Sequence, residues 1–201
     1  MFELQECLQC YDNLADNSLK SDIPICEDCY NFNQKNKQNN SQNSIKQYIT
    51  FSKHPEIDEI ISGKLYLGNE DASTIKEELT KRNITHILIA GSGMKRYFEK
   101  DFTYMQINVE DTIGCDISKH FESTYNFIEE GKTVFVHCAA GVSRSATIVI
   151  SYIMRKQNKS YDEAFKQVKN VRYIIRPNKG FTKQLQELEK SLNLQMNNQL
   201  N

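Results

Sequence analysis

The sequence predicts an α/β fold in which a mostly parallel central sheet is flanked by helices, preceded by a small cysteine-rich module. Short apolar strands alternate with amphipathic helices between about residues 57 and 194. This alternation is typical of a parallel sheet covered by helices. Two C-x2-C pairs occur before residue 30, and a polar tract separates them from the alternating region.

Composition limits the possible partners and location. The chain has 201 residues with 26 acidic and 25 basic side chains, for a formal net charge of -1. A nucleic-acid or anionic-membrane binder needs a basic surplus, so we expect neither partner. No run of ~18 apolar residues predicts a membrane span, and the first residues lack the basic and apolar parts of a secretory signal. We therefore expect a soluble protein of the cytoplasm, the nucleus or both.

The paired cysteines indicate a metal site in residues 1–30. They are Cys7, Cys10, Cys26 and Cys29. Two such knuckles can supply four thiolates to one tetrahedral zinc ion, and in a reducing compartment metal binding is favoured over disulfides. We expect one structural Zn²⁺ and a possible protein partner for this module. Unliganded cysteines or an exposed redox pair are the alternatives.

Polar segments separate and end the folded parts. Residues 31–56 begin with a tract of Asn, Gln, Lys and Ser that buries too little apolar surface to offset its ordering entropy, which predicts a flexible linker. Residues 195–201 have the same character and predict a disordered tail. The alternating region, 57–194, predicts the main folded domain, and its loops carry the candidate catalytic residues.

The first half of the alternating region predicts three strands and a helix. Residues 64–68 form a short apolar run closed by glycine and predict a strand. Residues 71–82, with Ala-Ser-Thr-Ile-Lys-Glu-Glu-Leu in the middle, predict a helix. Residues 84–90 are a continuous apolar run that predicts a buried strand, ended by the glycines of 91–93. A further strand is predicted at 104–109.

The second half adds one strand and four helices. Residues 118–130 place Phe121, Tyr125 and Ile128 on one face, which predicts an amphipathic helix. Residues 133–137 are β-branched and aromatic and predict a strand. The remaining helices are predicted at 145–154, 161–171 and 181–192. Because sites gather at the carboxyl ends of parallel strands, the junction after residue 137 is the important one.

Residues 137–145 read His-Cys-Ala-Ala-Gly-Val-Ser-Arg-Ser and have the properties of an anion-binding loop. A tight loop entering a helix directs successive N–H groups inward and adds the positive end of the helix dipole. Arg144 offers a planar charged fork to two oxygens. The same field would stabilise a thiolate on Cys138, which would then be a nucleophile directed at phosphorus. A cysteine after an apolar strand can also be a plain core residue.

This H-C-x5-R-S loop resembles the signature of the cysteine-dependent protein tyrosine phosphatase superfamily. Within that superfamily, the sequence from Cys138 to Ala146 most resembles the dual-specificity phosphatases. The resemblance extends over about 57–192 and implies the phosphatase fold. Three further segments carry it: 63–68 resembles the opening strand, 109–112 with 116–117 the general-acid loop, and 176–181 the segment behind the phosphate loop.

The resemblance implies a role for each matching residue and no cofactor for catalysis. Cys138 would be the nucleophile, Asp111 the general acid, and Ser145 the hydroxyl that assists release of the thiolate. His137 would support the thiolate from behind through hydrogen bonds. The phosphate-binding residues would be Ala139, Ala140, Gly141, Val142, Ser143 and Arg144. Glu110 and Asp116 remain alternatives for the acid.

The resemblance also implies the substrate class. No counterpart of the tyrosine-bearing recognition loop of strict tyrosine phosphatases is present, and no rhodanese-like docking domain fits before residue 57. We therefore expect a small atypical enzyme acting on phosphotyrosine and on phosphoserine or phosphothreonine in proteins. The alternatives are a phosphatase of a phosphorylated glycan, lipid or RNA 5′ end, and an adaptor module that binds phosphoproteins without turnover. Cys115 is a conceivable resolving partner for oxidised Cys138.

Overall fold

The computed structural model describes residues 56–199, with side chains described as far as residue 193. The predicted zinc module and the predicted linker before residue 56 lie outside these residues. The zinc expectation for Cys7, Cys10, Cys26 and Cys29 is therefore not addressed by the fold.

Five strands and six helices make up the described part of the chain. The strands are β1 (Ile57–Ile61), β2 (Leu65–Gly68), β3 (His86–Ala90), β4 (Thr103–Ile107) and β5 (Val134–His137). The helices are α1 (Glu70–Ser73), α2 (Lys76–Lys81), α3 (Phe121–Glu130), α4 (Arg144–Gln157), α5 (Tyr161–Val171) and α6 (Lys179–Gln199), with a 3₁₀ turn at Ser118–His120. Within this range no helix has the length and apolar content needed to cross a membrane.

The strands form one sheet in the order β1-β2-β5-β3-β4. β1 pairs with β2 in the antiparallel sense, and all other neighbours are parallel, which confirms the prediction of a mostly parallel sheet. At the end of β5, His137 lies opposite Gly68 of β2 and Ile89 of β3. The loop that follows β5 therefore leaves the sheet at the middle of its carboxyl edge, between two parallel neighbours.

Alternation along the strands divides the apolar core between the two faces of the sheet. Leu65 and Val136 pack in a cluster that includes the buried faces of α3, α4, α5 and α6. Tyr66 and Phe135, one position away, pack in a second cluster with Leu79 of α2. Fully burying side chains of this size contributes about 1.5–3 kcal/mol each, so β5 is held from both sides and gives the following loop a rigid base.

Two elements at the start of the domain differ from the prediction. β1 was not predicted, because it is a short edge strand whose pairing with β2 is irregular between Glu59 and Ile61. The single helix predicted at 71–82 is two helices, α1 and α2. The Oγ of Thr74 donates to the Asp71 carbonyl, and Ile75 adopts an extended conformation before α2, so local side-chain bonding interrupts the helix.

Most other boundaries differ only at their ends. Helix α5 has the predicted bounds, whereas α4 starts one residue earlier than predicted and continues to Gln157. The chain leaves the sheet at Ile107, before the predicted end of the strand at 109. Helix α6 continues to Gln199, and so extends into the predicted tail.

Candidate active site

The loop 138–143 joins the central strand β5 to the 14-residue helix α4. Ala139 and Ala140 are exposed, whereas Cys138 is buried with 2% of its surface accessible. The small side chains therefore leave the backbone of the loop open to solvent above a buried sulfur.

Two donors point at the sulfur of Cys138. The Gly141 N–H donates to Sγ at 3.3 Å, and the Ser145 hydroxyl donates to it at 3.1 Å. Hydrogen bonds to the charged form of a group favour that form. The amino end of α4 adds its partial positive charge. The sulfur of Cys138 thus lies against two hydrogen-bond donors at the amino end of α4.

Gly141 gives the loop its shape. Its φ is +69°, and a Cβ at this position would lie 2.4 Å from the carbonyl oxygen of Gly68 in β2. Both the left-handed conformation and the close approach of the two backbones require glycine. The loop is tied to the same neighbour a second time, because the Glu70 N–H donates to the Ala139 carbonyl at 3.0 Å.

The remaining amides of the loop are available to a ligand. Within the described part of the chain, the following N–H groups make no hydrogen bond to another protein group: those of Ala139, Ala140, Val142, Ser143 and Arg144. A set of amides around the start of a helix is a suitable cradle for a tetrahedral oxyanion. Of the six residues that the resemblance implies for phosphate binding, five carry such an amide, and the N–H of Gly141 is directed at Sγ.

Arg144 places its guanidinium beside this cradle. Its Nη1 lies 3.5 Å from the Val109 carbonyl, and its Nε lies 3.9 Å from Oδ2 of Asp111 without a hydrogen bond. A Cβ at Gly91 would lie 2.7 Å from Nη1. The absence of a side chain at Gly91 therefore leaves room for the guanidinium of Arg144. Only 16% of the Arg144 side chain is exposed, which leaves a partly desolvated cation with donor capacity for an anion.

Asp111 is connected to the phosphate loop through hydrogen bonds. Its Oδ1 accepts from the Ser143 hydroxyl at 2.7 Å and from Nδ2 of Asn178 at 2.9 Å. The Ser143 hydroxyl also accepts from the Asn178 N–H at 3.2 Å. The structure thus brings together Asp111, Arg144 and the loop, while 38% of the Asp111 side chain stays open to solvent and to a leaving group.

The two alternative acids are placed differently. Oδ1 of Asp116 accepts from the Ser118 hydroxyl at 2.7 Å and from the Lys119 N–H at 3.4 Å, so this carboxylate caps the 3₁₀ turn. The Ser118 hydroxyl is the main cause of a lowered pKa at Asp116, which favours the ionised form and disfavours acid catalysis. Glu110 is exposed. The geometry therefore favours Asp111 as the acid.

His137 lies fully buried beneath the loop. Its ring stacks on Phe135 with centroids 5.3 Å apart. Burial lowers the pKa of His137 to about 4, an effect that the backbone of Cys138 opposes only in part. Neither ring nitrogen has a hydrogen bond of normal geometry. A neutral ring in this position supports the loop by packing, whereas the resemblance implies support through hydrogen bonds.

Arg172 is a supporting residue that the sequence did not reveal. Its side chain is 2% exposed, and it donates from Nε to the Gly141 carbonyl at 2.8 Å and from Nη2 to the Ala140 carbonyl at 3.1 Å. Its Nη1 donates to Asp58 of β1 at 2.6 Å. Because those carbonyls are held outward, the amides of the loop can face the ligand.

Asp58 and Glu56 both pair with Arg172. Oε2 of Glu56 lies 3.0 Å from Nη2. Burial is the main cause of a raised pKa at Asp58, and the hydrogen bond from Arg172 opposes it. The sequence around Arg172 does not indicate this ion pair, because the acidic partners stand near the other end of the domain.

Two further sequence hypotheses concern cysteines and metals. Cys115 is half-buried, and its carbonyl accepts from Nε2 of Gln184 at 2.9 Å. Cys115 and Cys138 are both free thiols, so the hypothesis of a resolving pair stays a prediction. Among residues 56–193, no group of His, Cys, Asp or Glu side chains could hold a metal ion.

Comparisons with known proteins identify the family and the fold. Residues 65–191 match the family model described as dual specificity phosphatase, catalytic domain. The chain is 35% identical over 182 residues to dual specificity protein phosphatase 1 of Arabidopsis thaliana, which covers 89% of this chain and 91% of that protein. It is 40% identical over 137 residues to dual specificity protein phosphatase 22-A of Danio rerio, covering 66% and 65% of the two chains.

Solved structures show the same similarity. A crystal structure of DUSP15 superposes with a TM-score of 0.65 at 33% identity, covering 72% of this chain and 94% of that one. The human tyrosine phosphatase-like serine/threonine/tyrosine-interacting protein superposes with a TM-score of 0.63 at 36% identity, covering 70% and 99%.

Proposed function

The chain belongs to the dual specificity phosphatase family and is a protein phosphatase, and we propose that its reaction proceeds through a cysteinyl-phosphate on Cys138. The observation that carries this proposal is the pair of donors at the sulfur, 3.1 and 3.3 Å away, beneath a ring of unengaged amides. Members of this family catalyse without a cofactor, and the proposed reaction requires only the substrate, water and groups of this chain.

In the first step the thiolate attacks phosphorus, so that an S–P bond forms as the P–O bond to the substrate side chain breaks. The loop amides and Arg144 hold the nonbridging oxygens, where charge develops. Asp111 enters protonated and gives its proton to the departing oxygen. The hydrogen bonds from Ser143 and Asn178 hold Asp111 beside the loop.

In the second step a water molecule attacks the phosphorus of the cysteinyl-phosphate. Asp111, now ionised, accepts a proton from this water, and the S–P bond breaks to release inorganic phosphate. The Ser145 hydroxyl, 3.1 Å from Sγ, stabilises the sulfur as it regains its negative charge. Asp111 thereby regains the proton that it gave up in the first step, and the enzyme returns to its starting state.

The substrates proposed are phosphotyrosine and phosphoserine or phosphothreonine in proteins. The exposed loop side chains Ala139 and Ala140 are small and uncharged, so they add neither a deep wall nor charges that select a polyanionic lipid. This surface is suited to phosphorylated side chains of different lengths.

The test is hydrolysis of a small aryl phosphate without added metal by wild type and by Cys138→Ser, with Cys115→Ser as the matched cysteine control. Activity lost in Cys138→Ser alone is the expected result. A folded, reduced wild type without turnover would contradict the proposal and favour a phosphoprotein-binding adaptor. A panel of phosphopeptides, phosphorylated glycans, phosphoinositides and RNA 5′ ends then tests the substrate class, and preference for a non-protein substrate would overturn it.

We also propose that the cysteines before residue 30 hold one structural zinc ion, Cys7, Cys10, Cys26 and Cys29 being the ligands. The support is their C-x2-C spacing. Elemental analysis of the purified full chain should give one zinc per molecule, lost in Cys7→Ser/Cys10→Ser and retained in Cys115→Ser. A zinc content near zero in the wild type, purified without chelator, would contradict the proposal.

A further inference from the structure

The segment 91–97, which follows β3, lies beside the phosphate loop. β3 is hydrogen-bonded to β5 and parallel to it, so the two strands end at the same edge of the sheet. The segment begins at Gly91, whose N–H donates to the Ile107 carbonyl at 3.0 Å. A Cβ at Gly91 would contact both Nη1 of Arg144 and the Met94 side chain. This segment therefore starts against the catalytic arginine.

Its backbone is anchored from the neighbouring strand. Nε2 of Gln106 in β4 donates to the Gly91 carbonyl at 3.1 Å and to the Met94 carbonyl at 3.2 Å. The Met94 side chain packs against both apolar clusters. Two hydrogen bonds and a packed side chain thus fix the base from which the next side chains project.

Those next side chains are two cations and an aromatic ring, and all three are exposed. Nζ of Lys95 lies 5.4 Å from the centroid of the Tyr97 ring, and Nε of Arg96 lies 3.4 Å from Oε1 of Gln106. Across residues 56–193, neither cation forms an ion pair with a carboxylate. Of the acids that follow, Asp101 is paired with Lys76 at 2.7 Å, while Glu99 is exposed.

The opposite side of the phosphate loop carries the opposite charge. β2 flanks β5 on the side away from β3, and it is followed by Glu70, whose N–H contacts the loop, and by exposed Asp71. A peptide lying across the loop therefore meets carboxylates on one side and unpaired cations on the other. This charge difference would favour one orientation of a bound peptide over the reverse one.

We propose that Lys95 and Arg96 are specificity-determining residues that bind an anionic group on the substrate, next to the phosphorylated residue. The group is a carboxylate side chain or a second phosphoryl group, because both suit an ammonium beside a guanidinium. This inference rests on the proposed protein phosphatase function and adds a substrate preference to it. Exposed ion pairs are individually weak, so the two cations together should give a preference of about two- to thirtyfold.

The experiment measures kcat/KM for phosphopeptides that carry alanine, glutamate or a second phosphoresidue next to the phosphorylated residue. Each of these residues is placed in turn before and after the phosphorylated one. The quantity compared is the ratio of kcat/KM for the anionic peptide to that for the alanine peptide. Wild type should favour an anionic peptide in at least one arm, and the preference should fall as salt is raised. Lys95→Gln/Arg96→Gln should bring the ratio close to one, and Lys95→Arg/Arg96→Lys should restore it.

The matched control is Lys81→Gln/Lys132→Gln. These lysines line an open cavity of about 720 Å³ beside the amino ends of the strands, so the same change in net charge there should leave the ratio at its wild-type value. Preference in the glutamate arm alone assigns the group as carboxylate, and preference in the phosphoresidue arm alone assigns it as phosphoryl.

Two failures are distinguishable. If wild type hydrolyses neither the aryl phosphate nor the alanine peptide, the proposed function falls. If wild type hydrolyses the alanine peptide but shows no anionic preference, or if the glutamine variant keeps the preference, the inference about Lys95 and Arg96 is wrong.

Discussion

At the scale of single residues, Asp111 and Asp116 show how hydrogen bonds separate two carboxylates of one loop into different tasks. Asp111 accepts from Ser143 and Asn178 at the mouth of the site, whereas Asp116 is engaged in capping the turn at Ser118. The same residue type in the same segment therefore contacts the candidate site in one place and caps a turn in the other.

Asp111→Asn should lower kcat for a phosphopeptide by about 10²–10⁴, the usual contribution of general acid catalysis. An aryl phosphate with a good leaving group should lose less, because it needs less protonation. In wild type, kcat/KM should rise and then fall with pH, since ionised Cys138 and protonated Asp111 are required together. The descending limb should disappear in Asp111→Asn.

Asp116→Asn makes the same charge change on the same loop and is the control for this prediction. Activity should stay near the wild-type value and stability should change little, because the amide oxygen of asparagine accepts the same hydrogen bonds. Turnover unchanged in Asp111→Asn and abolished in Asp116→Asn would reverse the assignment.

His137 gives a prediction about stability and pH. Its pKa is lowered to about 4 by burial, whereas an unfolded histidine titrates near pH 6.5. Between these values the unfolded chain binds more protons than the folded one, so stability is complete above pH ~6.5 and falls as pH decreases toward 4. Between pH 6.5 and 5 the loss should be about 2 kcal/mol.

Urea denaturation of wild type and His137→Gln at both pH values checks this prediction. The variant should lack about 2 kcal/mol of the wild-type decrease, whatever its absolute stability. An equal decrease in the two proteins would show that the folded protein protonates His137 as readily as the unfolded chain does.

Local chemistry explains which site residues were predictable. Cys138, Arg144 and Ser145 stand within eight consecutive residues, so that one short motif contains all three, and the Ser145 hydroxyl lies 3.1 Å from the sulfur of Cys138. Arg172 was not predicted, because its partner Asp58 is distant in sequence and no short motif contains both. The packing role of His137 was also not predictable, because the surrounding side chains decide whether its ring nitrogens form hydrogen bonds.

At the scale of elements, the contact between the phosphate loop and β2 depends on backbone alone. The φ of +69° at Gly141 and its approach to Gly68 leave no space for a side chain. Any Cβ there must displace the loop or the strand, and the amides that face the ligand would move with it.

Gly141→Ala should therefore raise the inhibition constant of inorganic phosphate and lower kcat/KM by at least tenfold, which corresponds to ~1.4 kcal/mol of lost binding. Gly63→Ala is the matched control: its φ is +62°, and nothing lies within 4 Å of the added Cβ. It should lose ~1 kcal/mol of stability from backbone strain and keep wild-type phosphate binding. Equal effects in the two variants would show that strain, and not the close approach, is responsible.

Arg172 connects three elements, since its guanidinium holds the loop carbonyls and Asp58 of β1 from the end of α5. Arg172→Met should lower the free energy of unfolding by about 2–4 kcal/mol, because it removes the hydrogen bonds to the Gly141 and Ala140 carbonyls and to Asp58. It should also weaken inhibition by inorganic phosphate.

Asp58→Asn provides the comparison. Burial raises the pKa of Asp58, so replacing the carboxyl with a neutral amide should cost less than removing the arginine, and phosphate inhibition should change little. Arg172→Met with wild-type phosphate inhibition would contradict a role in shaping the loop.

Whether an element was predicted depends on how local its determinants are. Helix α5 has its predicted bounds because Ser160 and Glu163 form a reciprocal capping box at its start. By contrast, β1 is an edge strand whose conformation depends on pairing with β2, and the break between α1 and α2 depends on side-chain bonds that a periodic pattern does not contain.

At the scale of the whole molecule, the sheet order places the last strand in the centre. β5 enters between β2 and β3, and this insertion is a tertiary event that local patterns do not specify. The alternation of strands and helices was sufficient to predict a mostly parallel sheet, while the neighbours of each strand were not predictable from it.

A fragment of residues 54–201 should retain the wild-type kcat/KM for an aryl phosphate, because it includes all the contacts described above. A fragment of residues 63–201 should lose most of this activity and unfold at lower urea concentration, since it lacks β1 and leaves Arg172 without Asp58. Circular dichroism and aryl phosphate turnover of both fragments check this. Equal behaviour would show that the edge strand is dispensable for the site.

The pairing of Arg172 with Asp58 has a consequence for synthesis on the ribosome. The two residues are 114 positions apart, and closing so long a loop is slow relative to forming local helices and turns. The phosphate loop is translated well before Arg172, and the arginine becomes available only after it has left the exit tunnel. We therefore expect the nascent chain to carry Cys138 in an immature loop until Arg172 has emerged and paired with Asp58, so that the enzyme becomes competent only after this long-range contact has formed.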